Sequence, residues 1–114
     1  MGRFIYNSVG QSQTGGSAVD IDDRTLTHLR VVVVNKLRRG ESFMFDLEMA
    51  DGSGRRSYWI HPAVPLQFHF YNARRQPINR EWVEAMMIAA GGPDGLRLIP
   101  EPKGGTEARV PRVR

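Results

Sequence analysis

Three arginine pairs, Arg38-Arg39, Arg55-Arg56 and Arg74-Arg75, with Arg80 close behind, punctuate a chain of 114 residues. A guanidinium presents its donors as a planar fork that meets a phosphate through two bonds at once. These seven side chains are therefore the candidates for contact with a nucleic-acid backbone. Lys36 and Lys103 are the only lysines among 16 basic residues, so the remaining 14 are arginine. The formal net charge is +4 and the isoelectric point about 10.1. Such a field attracts polyanions without reading base sequence. Arginine-for-lysine usage is also what a GC-rich genome produces. Asp22, Asp23 and Asp51 are expected near the same arginines, so ion pairing competes with phosphate.

Other stretches have the outline of chemistry. Gly10-Gln11-Ser12-Gln13-Thr14-Gly15-Gly16-Ser17 nearly matches a phosphate-binding loop, but Gly16 stands where the lysine belongs. The loop feeds a short strand rather than the helix whose amides complete such a cradle. Met49-Ala50-Asp51-Gly52 has the outline of the K-x-D-G pattern that carries the nucleotidyl lysine of ATP-dependent ligases. Methionine at the first position cannot form a phosphoramide, and Asp-Gly is ordinary hairpin-turn chemistry. Asp46, Glu48, His61 and His69 fall on one side of a strand pattern with Trp59, Gln67 and Tyr71. Such a face could bind a metal or move a proton. A surface anchored on Trp59 and Tyr71, flanked by His61 and His69, reads more simply as a contact face for protein, because aromatic residues anchor interfaces. No metal site or cofactor is expected. His28 falls on the outer face of its helix and is expected to be solvated.

The elements that must position these groups follow from periodicity. Arg3–Tyr6 reads as a strand, Asn7–Ser17 as a polar glycine-rich loop and Ala18–Ile21 as the returning strand. From Asp22 the pattern becomes helical: at 100° per residue Leu26, Leu29, Val33 and Leu37 share a face, with Val34 at its edge. Asp22 or Asp23 can cap the start, Lys36, Arg38 and Arg39 complement the end of the dipole, and Gly40 suits the position after it. Four consecutive valines, Val31–Val34, lower helix propensity and keep a strand open as the alternative. Three strands then alternate: Phe43–Met49, Arg56–His61 and Leu66–Tyr71. They are expected to form an antiparallel meander with one buried face. In that arrangement the first turn and the loop after the third strand lie at one end, which would unite Arg55, Arg56, Arg74, Arg75 and Arg80. Asn79 can cap a second helix, Arg80–Ala90, with Trp82, Ala85, Met86 and Ala89 inward. Leu96–Ile99 reads as a last short strand.

Length and composition bound the rest. A chain of this size forms one domain, and can support it with a single core. It contains no cysteine, which excludes disulfides and thiolate chemistry and fits a reducing cytoplasm. No run of 18 apolar residues and no signal-peptide pattern is present. The expected organisation is a single α+β domain over residues 1–100, a mixed, mainly antiparallel sheet with two helices packed on one face, followed by a flexible basic tail over 101–114.

Taken together, the residues Met1–Tyr6, Asp22–Phe43, Trp59–Leu66, Asn79–Met87 and Gly95–Pro102 spell a pattern. It runs M-G-x-[FL]-I-Y, D-D-R-x-L-x-H-L through K-L-R-R-G-E-S-F, W-[IL]-H-P-x-[VI]-P-L, N-R-x-W-[VI]-E-A-[ML]-M and G-L-x-L-[IV]-P-E-P. It resembles a family of small actinobacterial proteins, often labelled ATP-dependent DNA ligase, and covers nearly the whole chain. The Asn7–Ser17 loop is longer here. The resemblance implies at most a part accessory to DNA processing and carries over no catalytic residue. The reading is a non-catalytic binding or adaptor module with DNA or a DNA-processing protein as partner. The alternatives are a self-associating interaction subunit and a ligase-related enzyme.

Overall fold

The computed structural model describes residues 2–7, 17–49 and 51–103. In chain order the elements are β1 (Gly2–Tyr6), β2 (Ser17–Ile21), α1 (Asp23–Arg38), β3 (Phe43–Glu48), β4 (Arg55–Ile60), β5 (Leu66–Phe70), α2 (Arg80–Ala90) and β6 (Leu96–Arg97). The class is α+β with mainly antiparallel pairing.

The valine-bearing stretch is a helix, and its ends explain why. The Asp22 carboxylate accepts from the Thr25 amide at 3.0 Å and from the Thr25 hydroxyl at 2.7 Å. At the far end the Gly40 amide donates to Leu37 O and the Glu41 amide to Lys36 O, with Gly40 at φ 73°. That positive φ costs glycine almost nothing. Asn79 caps α2 by accepting from the Trp82 amide.

The expected meander does not form. β3 pairs with β4, but β5 pairs with β1, so the strands make two sheets ordered β2-β1-β5 and β4-β3-β6. β6 runs parallel to β3 and makes the second sheet mixed. Five β1–β5 residue pairs, Gly2↔Phe70 through Tyr6↔Leu66, join the start of the sequence to a strand past its middle. Pro62 and Pro65 intervene before β5, and the His61–Val64 turn (Val64 amide to His61 O, 3.0 Å) redirects the chain. Pro62 at its second position presets the backbone angle.

The inner faces of both sheets meet in one core. Phe4 on β1 stands edge-on to Phe45 at 5.6 Å and to Tyr58 at 5.4 Å. Leu26, Leu29, Val32 and Val33 of α1 and Trp82 and Met86 of α2 join the same buried cluster. α1 lies against β1 and β5, α2 against β3 and β6. The helices run side by side in one direction: His28 touches Trp82 at the start of α2, while the Lys36 ammonium lies beside Gly91 at its end. α2 has no basic residue in its last turn, so Lys36 complements the negative ends of both dipoles.

Candidate binding surface

Asp23, Arg24 and His28, in the first two turns of α1, are engaged within the fold. His28 is fully buried, and the expectation of a solvated histidine is overturned. Its Nδ1 lies 2.8 Å from Arg24 O, and its Nε2 accepts from the Asn79 amide at 2.8 Å. Nε2 can accept only when unprotonated, so the ring is the neutral Nδ1–H tautomer. Burial lowers its pKa, against the opposing pull of the bond to Arg24 O. The ring also packs on Trp82, centroids 4.5 Å apart. The helical wheel missed this because α1 touches two neighbours. Leu26, Leu29 and Val33 face the sheet, whereas His28 and Val32, four apart, form a second stripe toward α2. The valine quartet was the available signal, since four apolar residues in a row widen the buried arc.

Arg24 is clasped. Its Nε and one terminal nitrogen donate to the two oxygens of Glu101 at 2.8 and 2.5 Å, and its other terminal nitrogen to Pro77 O at 3.0 Å. The Asn79 side-chain Nδ2 donates to Glu101 Oε2 and to Pro102 O. Glu101 raises the pKa of Arg24 chiefly through this hydrogen bond. Glu101 and Pro102 were expected in the tail. They are tied into the domain instead, and residues 104–114 lie outside the described residues. Asp23, also buried, accepts from the Asn72 amide at 2.9 Å and the Tyr71 amide at 3.4 Å, so it hangs the loop after β5 on the start of α1. Sequence reading missed Arg24, Asn79 and Glu101 as one network and Asp23 as the anchor of the loop after β5. Residues 24, 79 and 101 meet only once the helices are side by side.

The seven candidate arginines all remain exposed, and they are carried toward both ends of α1 and on β4. Arg38 and Arg39 end α1, whose 16 residues span about 24 Å. The loop bearing Arg74 and Arg75 is anchored at the other end through Asp23, and Arg80 opens α2 at that same end. The meander that was to unite these with Arg55 and Arg56 is replaced by pairing across two sheets. Arg55 approaches the Asp46 carboxylate at 4.0 Å, and Arg56 donates to the Ser17 hydroxyl at 3.4 Å.

The expected aromatic face divides likewise. Trp59 and His61, stacked at 6.3 Å, belong to β4 and the turn after it. His69 and Tyr71, edge-to-face at 4.9 Å, lie on and just after β5 in the other sheet. Trp59 is 46% exposed beside its cross-strand neighbour Met44 at 37%, and Tyr71 is 53% exposed. His61 Nδ1 accepts from the Ala63 amide at 3.0 Å, which ties that ring to the turn. Among the described residues no three His, Asp or Glu side chains converge to hold a metal ion. None of their helices is long and apolar enough to cross a membrane. Gly10–Gly16 of the candidate loop and Ala50 lie outside the described residues, and the Gly52 amide donates to Met49 O in the turn between β3 and β4. There Asp51 accepts from the Ser53 amide.

This geometry defines a small α+β domain: two three-stranded sheets and two codirectional helices around one core, its polar network spent on holding the helix starts together. By sequence, residues 1–101 match a domain of unknown function, DUF7882, and the chain belongs to that family. No curated protein and no solved structure matches it.

Proposed function

We propose that the chain is a non-catalytic binding module of the cytoplasm that meets DNA, or a protein working on DNA, through its exposed arginines. The observation that supports this reading is the division of labour among charged groups. The buried ones, Asp23 and His28, and the partly buried Arg24 and Glu101 are engaged in hydrogen bonds within the fold. Among the described residues, ten arginines and Lys103 are exposed against eight exposed carboxylates, a basic excess at the surface. The motif resemblance to proteins labelled as DNA ligases adds an accessory role beside DNA processing. The end where both helices begin, with Arg74, Arg75 and Arg80, is the favoured contact.

The test is a titration of labelled duplex and single-stranded DNA at several salt concentrations. Affinity should fall linearly on a log–log salt plot. Arg74→Ala with Arg75→Ala should lower the steepness by about 2, because each lost phosphate contact removes roughly one unit. No binding at low salt would remove the reading.

A second reading, self-association, draws on the exposed Trp59–Met44 pair. It predicts concentration-dependent light scattering that Trp59→Ala abolishes without unfolding the protein. A monomer at high concentration would exclude it.

A further inference from the structure

Among the described residues four strands lie at sheet edges, and three are protected against pairing. β2 carries the charge of Asp20, and β6 is only two residues long. β4 carries Arg55 and Arg56, and its Trp59 carbonyl already accepts from the Tyr6 hydroxyl at 2.8 Å. Charge, shortness and occupied backbone groups are the usual defences of an edge. β5, Leu66-Gln67-Phe68-His69-Phe70, has none of them.

Its backbone polarity follows from the register. The Asn7 amide donates to Pro65 O at 2.8 Å, so in the antiparallel ladder the residues bonded to β1 are those two and four further on, Gln67 and His69. The amides and carbonyls of Leu66, Phe68 and Phe70 therefore point away from β1, toward an edge that no described strand pairs with. Beside that edge lies an apolar groove of about 370 Å³, lined by Val34, Leu37, Arg38, Val64, Leu66 and Phe68. Arg30, Val34 and Arg38 fall on one stripe of α1 at four-residue spacing, and both arginines are exposed.

We propose that the β5 edge is a strand-addition site for an extended segment of a partner protein, apolar at alternate positions and flanked by acidic residues. An added strand takes up the free backbone groups of Leu66, Phe68 and Phe70, and every second side chain enters the groove against Val34 and Leu37. Arg38 at the rim, with Arg30 further along the same helix stripe, selects acidic flanks by charge complementarity. A second copy of this chain fits worse, because two-fold pairing of β5 with itself would set the arginine stripes of the two α1 helices against each other. The site does not depend on the phosphate contacts proposed above.

The experiment uses the full chain and fluorescein-labelled peptides of alternating leucine and serine, flanked by glutamate pairs or by lysine pairs. A third peptide has the glutamate flanks and the same residues out of alternation. Anisotropy should show the alternating acidic peptide binding, the lysine-flanked and scrambled peptides at least about tenfold more weakly. Arg38→Glu, an exposed change, should weaken the acidic peptide by about fivefold and favour the lysine-flanked one. Amide exchange read by NMR should slow at Leu66, Phe68 and Phe70 on binding and stay unchanged at Gln67 and His69. Equal binding of the scrambled peptide, indifference to Arg38→Glu, or no binding at about 1 mM peptide would overturn the proposal. So would protection of Leu66, Phe68 and Phe70 that rises with protein concentration alone, which would make the occupant a second copy.

Discussion

His28 makes the fold sensitive to acid. Its lowered pKa means the unfolded chain takes up a proton more readily than the native one. The stability it supports is complete above the unfolded value of about 6.5, and falls below it by at most about 1.4 kcal/mol per pH unit. Urea midpoints should drop between pH 7.5 and 5. His28→Phe should be less stable at pH 7.5, by about 1–3 kcal/mol for the unpaired Asn79 amide, but should show a flatter pH profile. The Arg24–Glu101 pair is a second residue-scale test. Glu101→Ala leaves a partly buried guanidinium without its bidentate partner and should cost about 1.5–3 kcal/mol, measured as a lowered Tm. Both effects were illegible from the sequence for the same reason: a polar side chain's partner sits 50 to 80 positions away, as the separations of 51 and 77 show. Local capping, by contrast, was legible, because Asp22 and Asn79 act on amides three residues on.

At the scale of elements, helix α1 and the β3–β4 hairpin were readable from periodicity and turn residues, and β5's partner was not. Alternation shows which side of a strand is apolar but not which strand lies next to it. Nothing in Leu66–Phe70 distinguishes pairing with β4 from pairing with β1. The valine quartet gives a direct test of α1. Val32 is fully buried and Val31 half-buried, so Val32→Ala should cost about 2 kcal/mol in lost burial. Val31→Ala, where alanine's better helix propensity offsets lost contact, should stay within about 0.5 kcal/mol. Val33 is buried too, so Val33→Ala should cost about as much as Val32→Ala, whereas an extended chain would send those two neighbours to opposite faces and spare one of them. Gly95 tests the entry to β6. It sits at φ 80°, and an added Cβ would lie 2.7 Å from Met44 O. Gly95→Ala should therefore destabilise by at least about 1–3 kcal/mol, read as a shifted denaturation midpoint.

For the molecule as a whole, one cluster shared by both sheets and both helices implies a single cooperative transition. The two tryptophans offer separate views of it: Trp82 is 4% exposed and Trp59 46%. Emission from a Trp59→Phe variant, which reports Trp82 alone, should change at the same denaturant concentration as far-UV circular dichroism. Non-coincident curves would mean that the sheets melt independently. The stitching of residues 2–6 to 66–70 and of Arg24 to Glu101 also bears on biosynthesis. While the ribosome is still adding the middle of the polypeptide, the first hairpin has no neighbour on its other flank and the first helix no clasp. The nascent protein must wait for residue 101 to emerge before the clasp can close, and until residues 66–70 arrive that bare flank is the part most in need of a chaperone.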